Sequence, residues 1–340
     1  WPPLAEALAS AGLADALKKG KLATRRAYGA ALKVAGDLVP QVCALDGDVS
    51  NSTFSNIFAA AHPDRFYECK IAEQNMVSAA AGLAAAGMIP FANTFAKFFA
   101  RAYDQIELAL ISRANIKLVG SHAGISPCAD GPSQMALADV AYFRSFGSVP
   151  GDDRRSPVCW QFQPADAHAA YKLTQRMIAL EGPCYMRTHR PDVPLLYDDD
   201  ADFAPGGMNT LRTGEDVALI SAGFALHTAL IAADLLAKQG IRAAVIDAYS
   251  LPLDGQRMIE AVQRSGGVAL SVEDNYGGGL GGAVAEAVAD HGGGLRAKSL
   301  VCRRIPKSAR TPDEEFEYCG VSAAQVADHA LAFLKRPAGR

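Results

Sequence analysis

VCALDGDVSNSTF, Val42 to Phe54, opens on a short apolar run, Val42 to Leu45, and passes at once into polar, turn-forming residues. A run this short without polar alternation fits a strand buried on both faces, the usual setting of a parallel sheet. The same signature returns at Ile116 to Val119 and at Pro183 to Met186, with longer helix-like patterns between. Strands that alternate with helices point to crossover units laying parallel strands in one sheet. A second series follows at Val217 to Ser221, Ala243 to Asp247, Val268 to Val272 and Leu300 to Arg303. The stretch Tyr197 to Gly207 separates the two, carrying DDDAD and then APGG, a polar break with the composition of a linker. The expected fold is α/β, with two doubly wound domains, each a mostly parallel sheet covered by helices on both faces. The expected boundaries are an arm over 1–20, a first domain over 21–196, a linker over 197–212 and a second domain over 213–338. In the arm, LAEALASAGLADALKKG follows two prolines and reads as a short amphipathic helix closing on Gly20.

Composition narrows the function. The chain has 340 residues, 50% hydrophobic and 20% charged, enough for two globular cores. A net charge of -3 argues against nucleic acid or an anionic membrane as the main partner. No apolar run reaches the roughly 18 residues that a membrane helix needs, and no signal peptide pattern opens the chain. The seven cysteines form no C-x-x-C pair, which predicts reduced thiols in a cytoplasmic protein.

Two local features invite a chemical reading. Gly277, Gly279 and Gly282 satisfy G-x-G-x-x-G, the dinucleotide fingerprint. Its context fails, because Glu273 to Tyr276 intervene after the strand and the next strand ends in Cys302-Arg303-Arg304 without an acid for a ribose. A glycine-rich loop that permits close packing at a subunit contact is the preferred reading. The other feature is IAEQNMVS, Ile71 to Ser78, a lone glutamate followed by alanine and glycine up to Gly87. Small side chains exclude water, and a carboxyl at the mouth of such a segment suits proton handling. The competing reading is a solvated glutamate favoured by the helix dipole.

The surroundings of Glu73 decide between them. ALDGDVSNSTF (Ala44 to Phe54), HPDRFYECKIAEQNMVSAAAG (His62 to Gly82), PFANTFAKFFARAYDQI (Pro90 to Ile106), GSHAGIS (Gly120 to Ser126), DGPSQMALADVAYFR (Asp130 to Arg144) and RTHRPD (Arg187 to Asp192) together resemble the transketolase family. The resemblance runs from about Leu22 to Pro337 and covers the pyrimidine-binding and C-terminal domains. It implies a half enzyme using thiamine diphosphate, with Mg2+ or Ca2+ held by a separate N-terminal diphosphate-binding half, since no G-D-G metal motif is found here and no metal is assigned to this chain. It also implies transfer of a two-carbon ketol unit between sugar phosphates, a dimer of this chain within a 2:2 assembly, and no activity without the partner half.

The resemblance implies a role for each matching residue. Glu73 matches the glutamate that hydrogen-bonds the cofactor's pyrimidine ring, and Phe95 and Phe98 match the phenylalanines that form its apolar wall. Asp48 matches an acid that orients a glutamate of the partner half. Arg25, Ser52, His122 and Arg190 match phosphate and substrate ligands, with His122 a candidate catalytic group beside Glu73. Arginine suits a phosphate through its planar fork. Asp130 matches the acid on the substrate's C2 hydroxyl, and Gln134 lies near the C1 hydroxyl. Two departures stand out: SPCA (Ser126 to Ala129) before Asp130, and an apparent insertion, GDDRRSPVC (Gly151 to Cys159). The alternatives are half of a 1-deoxyxylulose-5-phosphate synthase, the beta subunit of a 2-oxo acid dehydrogenase, or a non-catalytic interaction module.

Overall fold

A computed structural model describes residues 1–151 and 156–335. Its larger sheet runs, in spatial order, Ser250–Leu251, Trp160–Phe162, Cys184–Arg187, Lys117–Ser121, Ile89–Phe95, Val42–Asp46 and Phe66–Glu68. All neighbours are parallel except Ser250–Leu251, which pairs antiparallel with Trp160–Phe162. The strands Val42–Asp46, Lys117–Ser121 and Cys184–Arg187 are buried at every position. This explains why each reads as an apolar run without alternation. Helices cover both faces: Thr24–Leu38 and Ala167–Ala179 lie in one apolar cluster with Phe91 and Val42, while Glu73–Ala85 and Tyr103–Ile111 pack in another around Leu45 and Leu118.

The second sheet has the order Arg296–Leu300, Val268–Val272, Val217–Ser221, Ala243–Asp247 and Asn209–Arg212, parallel except for the last. The sequence placed its final strand at Leu300 to Arg303, whereas the observed strand is Arg296–Leu300. The cause is its edge position. Only Leu300 is buried there, so no apolar run marks the strand. Asn209–Arg212, within the stretch expected to be a linker, is the opposite edge of this sheet.

The N-terminal arm is packed chain. Its helix spans Leu4–Ser10 and ends before Gly12, which turns at φ 73, rather than running on to Gly20. Leu4, Ala7 and Leu8 are buried against Ala27, Ala30 and Tyr171. All seven cysteines are free thiols. Among the described residues, no helix is long and apolar enough to cross a membrane. Of the expected insertion, residues 152–155 lie outside the described residues; its flanks meet through Gly151 N donating to Ser156 O at 2.7 Å.

The glycine-rich loop proves to be a helix cap. Glu273 lies buried at the start of helix Leu280–His291, with Oε2 accepting from Leu280 N at 2.8 Å and Oε1 from Gly281 N at 2.7 Å. Those are the amides that a phosphate would take at a helix N-terminus. A protein carboxylate already occupies their place.

Candidate active site

The candidate side chains gather at the carboxyl ends of the parallel strands, where open α/β sheets place ligands. Phe95 ends Ile89–Phe95, His122 follows Lys117–Ser121, and Arg190 lies just beyond Cys184–Arg187. Arg25 comes from the first turn of helix Thr24–Leu38, Ser52 from the short helix Ser50–Thr53, and Asp130 from the turn Cys128–Asp130. Together with Gln134, these residues line one open cleft of about 390 Å³. The cleft therefore unites seven of the residues singled out in the sequence: Arg25, Ser52, Phe95, His122, Asp130, Gln134 and Arg190.

Charge is distributed unevenly in it. Arg190 Nη1 contacts Asp130 Oδ1 at 2.7 Å, with both side chains about a third exposed. An ion pair in that setting is weak, so a stronger anion can displace it. Arg25 Nη1 donates to the Ser52 carbonyl at 2.8 Å, which spends one donor and turns the guanidinium beside the Phe54 ring. Burial and the nearby Arg190 push Arg25 down to about 10, which still leaves it charged at neutral pH. His122 behaves in the opposite way. It is buried at φ 57, its Nδ1 lies 3.0 Å from Ser121 Oγ, and burial together with Arg25 and Arg190 pushes it down to about 3. The imidazole is neutral at working pH, so it can exchange a hydrogen bond with a hydroxyl but adds no charge for a phosphate.

Behind the cleft runs an aromatic column. His122 stacks on Phe95 at 3.8 Å between ring centroids, Phe95 stacks on Phe98 at 5.0 Å, and the Arg101 guanidinium sits over Phe98 at 4.3 Å. Arg101 Nη1 then reaches Glu73 Oε1 at 2.6 Å. Glu73 is 1% exposed and is the first residue of helix Glu73–Ala85, which rules out the solvated helix-start reading. Its Oε2 is buried with no partner among the described residues. An unpaired buried carboxyl oxygen beside an apolar wall fits a ligand that shares a hydrogen bond and a proton with it, as the ring nitrogen of an aminopyrimidine would.

Three of the sequence candidates lie outside the cleft lining. Glu73 and Phe98 join it through the column, while Asp48 stands apart: it is half exposed, at φ 66, and 3.9 Å from Lys70 Nζ. Sequence reading missed Arg101, although it falls inside the quoted PFANTFAKFFARAYDQI stretch, because its partner lies 28 residues away. It also missed Asp46. This buried acid accepts from Val49 N, Thr53 Oγ1 and Ser55 Oγ, fixing the turn that carries Asp48 and Ser52, and burial pushes it up to about 6. Among the described residues, no group of three or more His, Cys, Asp or Glu could hold a metal ion.

Comparison with known proteins gives matches across both domains. The family described as "Transketolase, pyrimidine binding domain" matches residues 20–194, and the one described as "Transketolase, C-terminal domain" matches residues 206–326. The transketolase of Homo sapiens is 43% identical over 321 residues, covering 93% of this chain and 50% of the relative. Transketolase-like protein 1 of Bos taurus is 41% identical over 310 residues, covering 90% of this chain and 50% of the relative. The chain thus spans about half the length of the curated relatives it matches. Among solved structures, a chain described as "Split gene transketolase, inactive beta4 tetramer" is similar at a TM-score of 0.79 and 34% identity, covering 92% of this chain and 99% of that one.

Proposed function

This chain belongs to the transketolase family, and from that premise we propose that it is the C-terminal half of a thiamine diphosphate-dependent transketolase, moving a two-carbon ketol unit from a ketose phosphate to an aldose phosphate. The observation that carries this reading is the convergence of Arg25, Arg190, Asp130, Gln134 and a neutral His122 in one cleft, with the orphaned Glu73 Oε2 behind its aromatic wall. When bound, the cofactor supplies the nucleophilic carbon and the electron sink, chemistry that no side chain offers. The residues of this chain do the rest. Glu73 Oε2 donates a hydrogen bond to a ring nitrogen of the pyrimidine and exchanges that proton with it, while Arg101 on Oε1 fixes the carboxyl. Phe95 and Phe98 give the ring an apolar wall and keep water away. Arg25 and Arg190 hold the sugar phosphate by charged, forked hydrogen bonds. His122, being neutral, takes and returns a proton at a substrate hydroxyl, and Asp130 and Gln134 orient the hydroxyls at C2 and C1.

The chain holds no diphosphate or metal site of its own in this reading. A separate N-terminal half supplies both, with Mg2+ or Ca2+, and Asp48, half exposed outside the cleft, orients a glutamate of that half. The active form is then a 2:2 assembly on a dimer of this chain, and the chain alone is inactive. The split-gene neighbour, described as an inactive beta4 tetramer, supports that division. Seven free thiols support a reducing, cytoplasmic setting.

The test is reconstitution with a diphosphate-binding half, followed by titration calorimetry with thiamine diphosphate and an assay for ketol transfer. Tight binding and turnover are expected only in the mixture. Tight, metal-dependent binding by this chain alone would overturn the division of labour, and a mixture without transfer would overturn the reaction.

A further inference from the structure

One buried side chain links acids of both domains. Arg187, at the end of Cys184–Arg187, has a side chain only 1% exposed and donates from Nε to Asp139 Oδ2 at 2.8 Å and from Nη1 to Asp274 Oδ1 at 3.3 Å. Asp139 opens helix Asp139–Gly147 in the first domain, and Asp274 follows Val268–Val272 in the second. The two carboxylates more than offset the burial of Arg187 and keep it charged. Its remaining nitrogen, Nη2, donates to the Ala136 carbonyl at 3.2 Å.

Ala136 matters because it closes a loop. Ala123 and Ala136 form an isolated parallel bridge, and the chain between them carries Asp130 and Gln134 into the cleft. The second domain grips that loop on both legs and near its tip. Asp274 O accepts from Ile125 N at 3.2 Å, Tyr276 N donates to Leu137 O at 2.9 Å, and Ala309 N donates to Cys128 O at 3.2 Å. A Cβ added at Gly124 would overlap the Asp274 carboxylate, so no slack exists at this contact.

We propose that Asp274, acting through Arg187, is a positioning residue by which the C-terminal domain sets the placement of Asp130 and Gln134 in the cleft. This rests on the transketolase reading above. Apolar packing would join the domains yet tolerate sliding; a planar guanidinium shared between carboxylates of two domains fixes one register. Neither residue touches substrate. Both act through the loop, where a shift of about 1 Å in orienting groups costs on the order of 100-fold in rate.

Asp274→Asn in the reconstituted complex is the test. It keeps the shape and one acceptor oxygen but removes the charge. Amide hydrogen exchange on the full chain is expected to speed up across residues 123–137, and kcat/KM for a ketose phosphate donor to fall about 10- to 100-fold. Exchange of the bound cofactor's C2 proton, which needs only the Glu73 side of the site, is expected to keep its wild-type rate. A structural role alone would not split those two readouts. Unchanged exchange in the loop, or an equal fall in C2-proton exchange, overturns the proposal. If Asp274→Asn does not fold, Arg187→Lys, which keeps a charge and loses the fork, is read by the same criteria. Should the wild-type complex show no ketol transfer, the reaction assignment fails while loop exchange still decides this proposal.

Discussion

Two buried glutamates stand at helix starts, one in each domain, Glu73 as the first residue of its helix and Glu273 as the cap on the first amides of Leu280–His291, and they differ in what remains unpaired. Glu273 is saturated: Asn275 Nδ2, Leu280 N and Gly281 N all donate to it. Glu73 has one oxygen on Arg101 and the other on nothing among the described residues. A buried acceptor without a donor costs about 1–3 kcal/mol, which folding has no reason to carry unless a partner arrives later. The saturated glutamate is part of the fold, and under the proposed function the unsaturated one is reserved for a ligand.

The largest expected effect breaks that comparison most directly. Glu73→Gln retains size but cannot give up and regain a proton, so turnover of the reconstituted enzyme should fall roughly 10²- to 10⁴-fold. Folding and assembly should survive. Quenched-flow NMR of C2-proton exchange on the bound cofactor reads the step itself. An unchanged rate in the variant would make Glu73 as structural as Glu273.

Next in size is the proposed phosphate clamp. Arg190→Ala and Arg25→Ala each remove charged hydrogen bonds worth about 1.5–3 kcal/mol, so KM for a ketose phosphate should rise about 10- to 100-fold. Hydroxypyruvate, a short donor without a phosphate, should be far less affected. Equal losses on the two donors would return both arginines to structural roles, and Arg190 would then be no more than a partner for Asp130.

The mirror experiment is Glu273→Gln. An amide there keeps one acceptor oxygen and turns an NH2 toward a backbone N–H that donated before, so the unfolding free energy should drop by about 1–3 kcal/mol. Denaturant melts of the chain measure it. The ketol-transfer rate well below the melting temperature should stay near wild type, and a large loss of rate without loss of stability would erase the distinction between the two glutamates.

How much of this was legible in the sequence depended on range. Runs such as Val42 to Leu45 announced parallel strands because both faces are buried, and the residues lining the cleft could be named because they sit in dense motifs. What stayed hidden was non-local or half-exposed. Ser250–Leu251 is too short to show a period, yet it completes the other domain's sheet by pairing with Trp160–Phe162. Arg296–Leu300 alternates lysine and arginine with small residues at an edge, where no apolar run is needed. Arg101 and Arg187 read as ordinary cations until the fold supplied Glu73, Asp139 and Asp274. Pairings set by tertiary structure leave no mark in local spacing.

Glu73 is not alone in leaving an oxygen unpaired, and the other cases sharpen the rule. Asp274 Oδ2 also lacks a partner, but it is closed in by Gly124. Asp247 Oδ1 lacks one too, with no cation beside it; Tyr197 OH donates to Oδ2 at 2.7 Å. Burial pushes the Asp247 carboxyl up to about 8, with Asp166 adding to the rise against the Tyr197 hydrogen bond. Such a group holds its proton at neutral pH and needs no cation. Because the folded value lies above the unfolded one near 3.8, the native state binds more protons, and stability declines as pH rises from about 4 until it levels off above about 8. The slope from this one group is at most about 1.4 kcal/mol per pH unit. Asp247→Asn has no proton to lose, so thermal melts between about pH 5 and pH 8 should show wild type losing stability relative to the variant. Parallel profiles would mean that Asp247 is charged in the fold with an unpaired oxygen. Asp247 would then join Asp274 as an orphaned carboxylate oxygen without a ligand, and an unpaired oxygen alone would no longer single out Glu73.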